Sequence, residues 1–400
     1  MMFLTSTKSI FLSFLALAIS AFYILDPSDA AWGADNFSIL KYLPYVLCGF
    51  SVLLCFLIGE VVRKVNVWQA LVSILFFWMF SGALITLSRG VNVEESYLGR
   101  SLAIFPFLAG ALAVGHPVFE RYLSALVKYV LVPFSILVFF MLLFWQLGFR
   151  VVDEKHIYHE EIFVFSASSV FLLSRSKLLS FGFWLSVVLL CLPLLTFKNT
   201  GFIVFLLNVA MFVVVLESKR FDNVYARYFI VVFNRLAPVV FLGSLVAIYF
   251  VYQDYMPSGS PEVRLKTYEM RFLQFRDSPY WGQFFSESPL IELDTRWGAI
   301  LVPSHADFLD LLAAGGILAV ILLFIPFGMV LSKCRVIMSN SCSAITTFMI
   351  FILASGFLVM VFNPVLNQPK LAIWFWFAFG ALLGVKCREI NLSQMNETYK

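Results

Sequence analysis

The residues of this chain that could do chemistry are concentrated in one polar stretch, residues 252–306, of an otherwise apolar sequence. It carries Arg264, Arg271 and Arg276 and ends close to His305. Arginine side chains form forked, charge-assisted hydrogen bonds with phosphate oxygens. Histidine can act as a general base near neutral pH without large tuning. The stretch therefore indicates a site for a pyrophosphate next to a proton acceptor.

The spacing of the arginines predicts that a helix presents them. Apolar residues recur at near-helical intervals between Arg264 and Phe275. Arg264 and Arg271 lie seven positions apart and so share one helix face. Pro279 ends this helix, and Trp281-Gly282 follows as a turn. The alternative is that each arginine only solvates the loop or meets lipid phosphates.

His305 lies just before a long apolar helix, with Ser304 as its possible cap. The N-terminus of that helix would stabilise an anion nearby. Asp307 and Asp310 occupy its first turn, where acidic residues are usually helix-dipole partners, although either could orient the imidazole. The alternative is that His305 is an ordinary interfacial residue.

Three further cations lie at the ends of apolar runs on the same predicted face: Arg89, Arg100 and Lys198. Charged side chains at membrane depth are costly, so they are functional candidates by default. The alternative is that each extends to lipid headgroups. We expect all three to help bind a pyrophosphate or substrate, together with Arg271 and Arg276.

Composition indicates the elements that must position these residues. Of the 400 residues, 61% are hydrophobic and only 13% are charged, against about a quarter charged in ordinary soluble domains. Apolar runs of about 18 residues or more recur, each long enough to cross a bilayer. The sequence predicts an all-α polytopic membrane protein of about twelve spans, with one long, partly helical loop between the ninth and tenth.

The expected organisation has four parts. Residues 1–251 hold nine helices, 252–306 the loop, 307–386 three helices and 387–400 a polar tail. The first apolar run fits an uncleaved helix better than a signal peptide. The predicted spans are 10–25, 42–60, 67–87, 97–115, 129–147, 163–174, 178–196, 201–217, 228–251, 307–331, 344–362 and 371–385.

The distribution of basic residues predicts the orientation of the chain in the membrane. With the N-terminus inside, every inner loop is basic, as the positive-inside rule requires. Both termini are then cytoplasmic and the long loop lies outside, which its arginines do not contradict because long loops cross regardless of charge.

Several functional classes lack their sequence signatures. There is no Walker loop, which argues against ATP hydrolysis, and no external Asp-x-Asp pair for a metal-bound sugar nucleotide. No cysteine lies in a predicted external segment, and no Cys/His spacing predicts a zinc site. We expect no metal, no cofactor and no nucleic acid.

Two blocks resemble the O-antigen ligase/polymerase superfamily of bacterial surface-polysaccharide assembly. One is the arginine helix running into Asp277-Ser278-Pro279-Tyr280-Trp281-Gly282, and the other is Ser304-His305-Ala306-Asp307 running into Gly315-Gly316-Ile317-Leu318. Together they cover about fifty residues. The chain departs from the family pattern at Ala306, where Asn is frequent, and at Lys198, where arginine is usual and a lysine cannot form the bidentate fork.

The resemblance implies metal-independent glycosyl transfer on the periplasmic side of the inner membrane. The donor would be an oligosaccharide on undecaprenyl pyrophosphate, with His305 as base and Arg264 in a catalytic role. The acceptor would be another repeat unit, in an O-antigen or exopolysaccharide polymerase, or lipid A-core, in an O-antigen ligase. A chain-length regulator is a further candidate partner.

The polymerase is the first choice and the ligase the runner-up. A lipid-linked oligosaccharide flippase is an alternative of another class. It would be expected to show inverted repeats or charged midplane sites, and it would not need a long external loop. A purely scaffolding role would not explain why cations collect on one face of the membrane.

Overall fold

The computed structural model describes most of the chain as helix. It describes residues 2–25, 42–57, 66–92, 96–114, 116, 118–149, 161–177, 179–196, 199–220, 260–295, 298–304, 306–339, 344–361, 363–366 and 368–385. The helices before the loop are α1 Met2–Leu25, α2 Leu43–Leu57, α3 Val67–Ser88, α4 Leu98–Ser101, α5 Ile104–Ala113, α6 Phe119–Leu126, α7 Val132–Gln146, α8 Ile162–Arg175, α9 Phe181–Leu190 and α10 Asn199–Arg220. A π-helical turn, Val127–Leu131, joins α6 to α7, and a 3₁₀ turn, Leu192–Thr196, follows α9.

The remaining elements comprise the loop and the last helices. They are α11 Ser260–Asp277, β1 Leu290–Thr295, β2 Gly298–Pro303, α12 Asp307–Ser339, α13 Ala344–Val359 and α14 Pro369–Gly384. Each predicted span that falls on described residues overlaps a helical stretch. The predicted ninth span, 228–251, lies outside the described residues.

Within the described residues, three helical stretches are long and apolar enough to cross a membrane, by length and composition: Val67–Ser88, Phe119–Gln146 and Asp307–Lys333. Other helices are apolar but shorter, including Leu43–Leu57 and Pro369–Gly384. The chain is therefore a mostly helical protein with the composition of a membrane protein.

Small residues allow a close contact between helices α5 and α14. A side chain at Gly110 would collide with the backbone carbonyl of Phe377, and one at Gly380 would collide with that of Phe107. Close backbone approach through small residues is typical of helix packing in membranes. The two glycines therefore fix the distance between these helices.

Helix α12 is interrupted two turns after its start. Gly316 has φ 63° and ψ −165°, a backbone conformation that is essentially restricted to glycine. The break leaves backbone groups unpaired within the helix, and the turn after α11 binds them. The amides of Gln283 and Phe285 donate to the carbonyls of Ala313 and Ala314 at 3.0 and 2.9 Å.

The same turn also accepts hydrogen bonds from α12. The amides of Ile317 and Leu318 donate to the carbonyls of Pro279 and Tyr280 at 2.9 and 3.2 Å. The two sequence blocks that carry the family resemblance are thus joined, backbone to backbone, at the helix break. This junction holds the loop on the helical body.

The described part of the loop holds one helix and one β-hairpin. Helix α11 covers residues 264–275, where the sequence predicts a helix, and ends at Asp277, two residues before Pro279. The antiparallel pair β1–β2 is a departure from the all-α expectation. Its sequence alternates as a half-buried strand does, with Ile291 and Leu293 buried and Glu292 exposed. Val263 of α11 packs on this hairpin.

Candidate functional site

The site is built where the loop meets the start of α12, and Arg100 reaches it from the helical body. Arg100 lies on the short helix α4, beside the N-terminus of α5, and is 8% exposed. Its guanidinium lies 4.9 Å from the ring centroid of Tyr97, one turn earlier. Its Nη1 forms an ion pair with Asp310 Oδ2. Arg100, which the sequence places at the end of an apolar run, is thus buried and paired with an acidic residue.

Arg271 reaches the same carboxylate from the loop. Its side chain is 2% exposed, and its Nε lies 2.8 Å from Asp310 Oδ1. Nη1 donates to Gln274 Oε1 at 2.8 Å. Nη2 donates to the carbonyl oxygens of Pro289 and Ser288, at 2.6 and 3.3 Å, just before β1. One side chain therefore binds α11, the hairpin and α12 together.

Asp310 is the centre of this cluster. It is fully buried in the first turn of α12 and contacts a guanidinium with each oxygen. Tyr97 donates its hydroxyl to Oδ2 at 3.2 Å. Burying a carboxylate is costly unless it is paired and hydrogen-bonded. The two arginines and the tyrosine supply that pairing.

Asp307 lies one turn earlier and is also buried. Its Oδ2 accepts the amide of Leu366 at 2.8 Å, and its own amide donates to the carbonyl of Met360 at 3.0 Å. Its Oδ1 has no hydrogen-bond partner among the described residues. Arg100 also interacts electrostatically with Asp307. Asp307 thus connects the start of α12 to the turn between α13 and α14.

Arg264 is a third arginine of this region, and it has capacity left for a ligand. It lies two turns before Arg271 on α11 and is half-buried. Its Nε is buried and, within the described part of the chain, has no hydrogen-bond partner. Arg100 and Arg271 are both paired with Asp310. Arg264 adds a positive charge on the same helix face as Arg271.

The structure does not bring all predicted site residues together. Arg276 is exposed and lies 3.9 Å from the neighbouring Asp277, measured from Nε to Oδ1. Arg89 is exposed, and its Nη1 donates to the carbonyl of Ser286 at 3.4 Å. Lys198 and His305 lie outside the described residues. Ser304 precedes α12, where its hydroxyl accepts the Ala306 amide at 3.4 Å.

Aromatic packing holds the turn after α11 against the cluster. Phe285 is fully buried and packs edge-on against Tyr97 and Trp78, with ring centroids 5.2 and 5.3 Å apart. Trp281 and Phe284 stack with parallel rings on the outer side of the turn. A side chain at Gly82 would collide with the Phe284 carbonyl. The turn is therefore wedged between α3 and α12.

No family model matches this chain, and no curated protein sequence is significantly similar to it. The geometry of the site therefore carries the functional argument. Among the described residues there is no group of His, Cys, Asp or Glu suited to hold a metal ion. Guanidinium groups are the cations that the described site offers.

The sequence did not single out Tyr97, and it left Asp310 as one of two possible helix-dipole partners. A signal for Tyr97 exists in hindsight, since Tyr97 and Arg100 are three residues apart and so share a helix face. No local signal pairs Asp310 with Arg271 of the loop. The arrangement that results can bind an anion at Arg264, on the helix that Arg271 joins to Asp310.

Proposed function

We propose that this protein is a membrane glycosyltransferase of the surface-polysaccharide polymerase type. It transfers a glycan from undecaprenyl pyrophosphate to a sugar hydroxyl of another lipid-linked repeat unit. We place it in the bacterial inner membrane, with about twelve spans, both termini in the cytoplasm and the site on the periplasmic face.

The observation that carries the proposal is a group of three arginines. Arg100 and Arg271 are buried and paired with Asp310, and Arg264, on the same helix face as Arg271, has a buried Nε without a hydrogen-bond partner among the described residues. A polyprenyl pyrophosphate leaving group develops negative charge as the glycosidic bond breaks. Fixed, desolvated cations stabilise such charge far better than solvated ones do. Arg264 supplies the contact to the phosphate, and the others hold it in place.

The remaining roles follow from the chemistry of the step. The acceptor hydroxyl attacks the anomeric carbon, and the bond from that carbon to the pyrophosphate oxygen breaks. His305, one residue from the described Ser304 and two before α12, takes the hydroxyl proton. The pyrophosphate departs with its charge balanced by Arg264, and Lys198 is a further candidate for that contact.

The experiment is the surface glycan ladder of a deletion strain complemented with wild type, His305→Ala, Arg264→Ala or Lys266→Ala. Lys266 is the matched control, an exposed cation on the same helix. We expect a ladder from wild type and Lys266→Ala, and single capped repeats from the other two.

Two other outcomes have defined meanings. Bare core with polymer retained on the lipid carrier would identify a ligase in place of a polymerase. A full ladder from well-expressed His305→Ala and Arg264→Ala would reject the proposed chemistry and favour transport of the lipid-linked glycan.

A further inference from the structure

The guanidinium of Arg271 makes its contacts within the protein. Its Nη1 donates to Gln274 and its Nη2 to Pro289 and Ser288. Its Nε lies 2.8 Å from Asp310 Oδ1 in an ion pair. The side chain is 2% exposed. A phosphate could reach it only by displacing the contacts that hold it.

Asp310 is also held by contacts that do not involve Arg271. The helical body holds its Oδ2 through Arg100 and Tyr97, and the first turn of α12 holds its backbone, with its amide 3.1 Å from the Ala306 carbonyl. Oδ1 is the oxygen left for the loop. The carboxylate is thus anchored on one side and bound by the loop on the other.

We infer that Asp310 is a positioning residue that fastens α11 to the helical body through Arg271, and that Arg271 serves in this clasp rather than as a phosphate ligand. The clasp is defined by these two residues. Removing one partner of a buried ion pair leaves an uncompensated charge, whereas an intact pair is close to neutral in energy. The clasp therefore favours a single docked position of the loop helix over alternatives.

The clasp has a consequence for Arg264, and this step rests on the proposed function. Arg264 and Arg271 lie on one face of the same helix, about 10 Å apart along its axis. When Arg271 is bound to Asp310, Arg264 is placed at a fixed distance from the start of α12. Without the clasp, Arg264 would still be present, but it would no longer be held in place.

Docking can be measured without any assay of activity. Thr267 lies between the two arginines on α11 and is fully buried. In a chain whose six cysteines are replaced by serine or alanine, Thr267→Cys places one thiol on the docked face. We would measure its labelling rate by a maleimide in detergent, with Asp310→Asn, Arg271→Gln, both together, or neither.

We expect slow labelling in the parent. Each single variant should label at least about tenfold faster, and the double variant no faster than the singles, because all three lack the same pair. Glu269→Gln and Lys266→Gln, exposed on the same helix, are matched controls and should label like the parent. Unchanged labelling in both single variants, or effects that multiply in the double variant, would overturn the clasp.

The rate of glycosyl transfer then distinguishes a positioning role of Asp310 from a contribution to folding alone. If Asp310 acts through Arg264, adding Asp310→Asn to Arg264→Ala should cause little further loss of glycosyl transfer. Losses that multiply would overturn the positioning role. If wild type transfers no glycan but the labelling pattern holds, the proposed function fails while the clasp stands.

Discussion

Arg271 and Asp310 are joined across the junction between loop and helical body, with guanidinium Nε and carboxylate Oδ1 2.8 Å apart and both side chains buried. Arg271 lies on the loop helix α11, and Asp310 lies in the first turn of α12. Their pairing fixes the position of the loop helix. Arg264 is positioned with it, because it lies on the same helix.

Arg264→Ala tests the anion contact. We expect turnover to fall by about a hundredfold or more, since the loss of one preorganised donor to developing charge costs about that much. The measurement is polymerisation of lipid-linked repeat units by the purified protein. Lys266→Ala should remain within about twofold of wild type, as surface substitutions usually do. Equal losses in the two variants would mean that general charge, and not the position of Arg264, matters.

Arg271→Lys tests geometry at constant charge. A lysine ammonium is a compact group that lacks the guanidinium fork, so it cannot span the oxygens of Asp310, Gln274 and Pro289, and buried acceptors lose their donors. We expect the melting temperature in detergent to fall by at least about 2 °C. The conservative control is Lys266→Arg on the exposed face, which should leave the melting temperature unchanged. A melting temperature equal to that of wild type in Arg271→Lys would show that charge alone suffices.

Gly316→Ala tests the break in α12. The residue has φ 63°, and a side chain there would collide with the backbone at Tyr280. We expect destabilisation of about 1–3 kcal/mol, the usual cost of a strained backbone position. Gly328→Ala is the matched control within the same helix, because a side chain at Gly328 meets open space. That change should be neutral or slightly stabilising, since alanine is the better helix former.

Denaturation in mixed detergent, followed by tryptophan fluorescence, compares the two glycine variants. Equal stability would mean that the helix break and its backbone contacts with the turn do not contribute to the fold. The Thr267→Cys labelling assay should also report faster labelling in Gly316→Ala, because the turn that follows α11 is held at this break.

Gly380→Ala tests the close contact of α14 with α5. The added methyl group would meet the Phe107 carbonyl and push the two helices apart. Overpacking of this kind typically costs about 1–3 kcal/mol. Gly110→Ala should behave alike, and the double variant should cost less than the sum, because one separation accommodates both methyl groups. Independent, additive losses would argue against a shared contact.

The sequence by itself determined the helical class and the loop helix. Apolar runs and their spacing are local properties, so the helices α3, α12 and α11 follow from them closely. The end of α11 before Pro279 is equally local, because proline restricts the residue before it. The alternation in 290–303 was a readable strand signal that a purely helical interpretation passed over.

Only the tertiary structure decided which charges meet. Arg100, Arg271 and Asp310 are far apart in the chain, and no periodicity relates a residue of the loop to one of the body. Local patterns cannot distinguish a helix-dipole aspartate from a buried ion-pair partner, because both occupy the first turn of a helix. In the folded chain Asp310 is an ion-pair partner, because it is buried between two guanidinium groups. A buried carboxylate is stable only when it is paired.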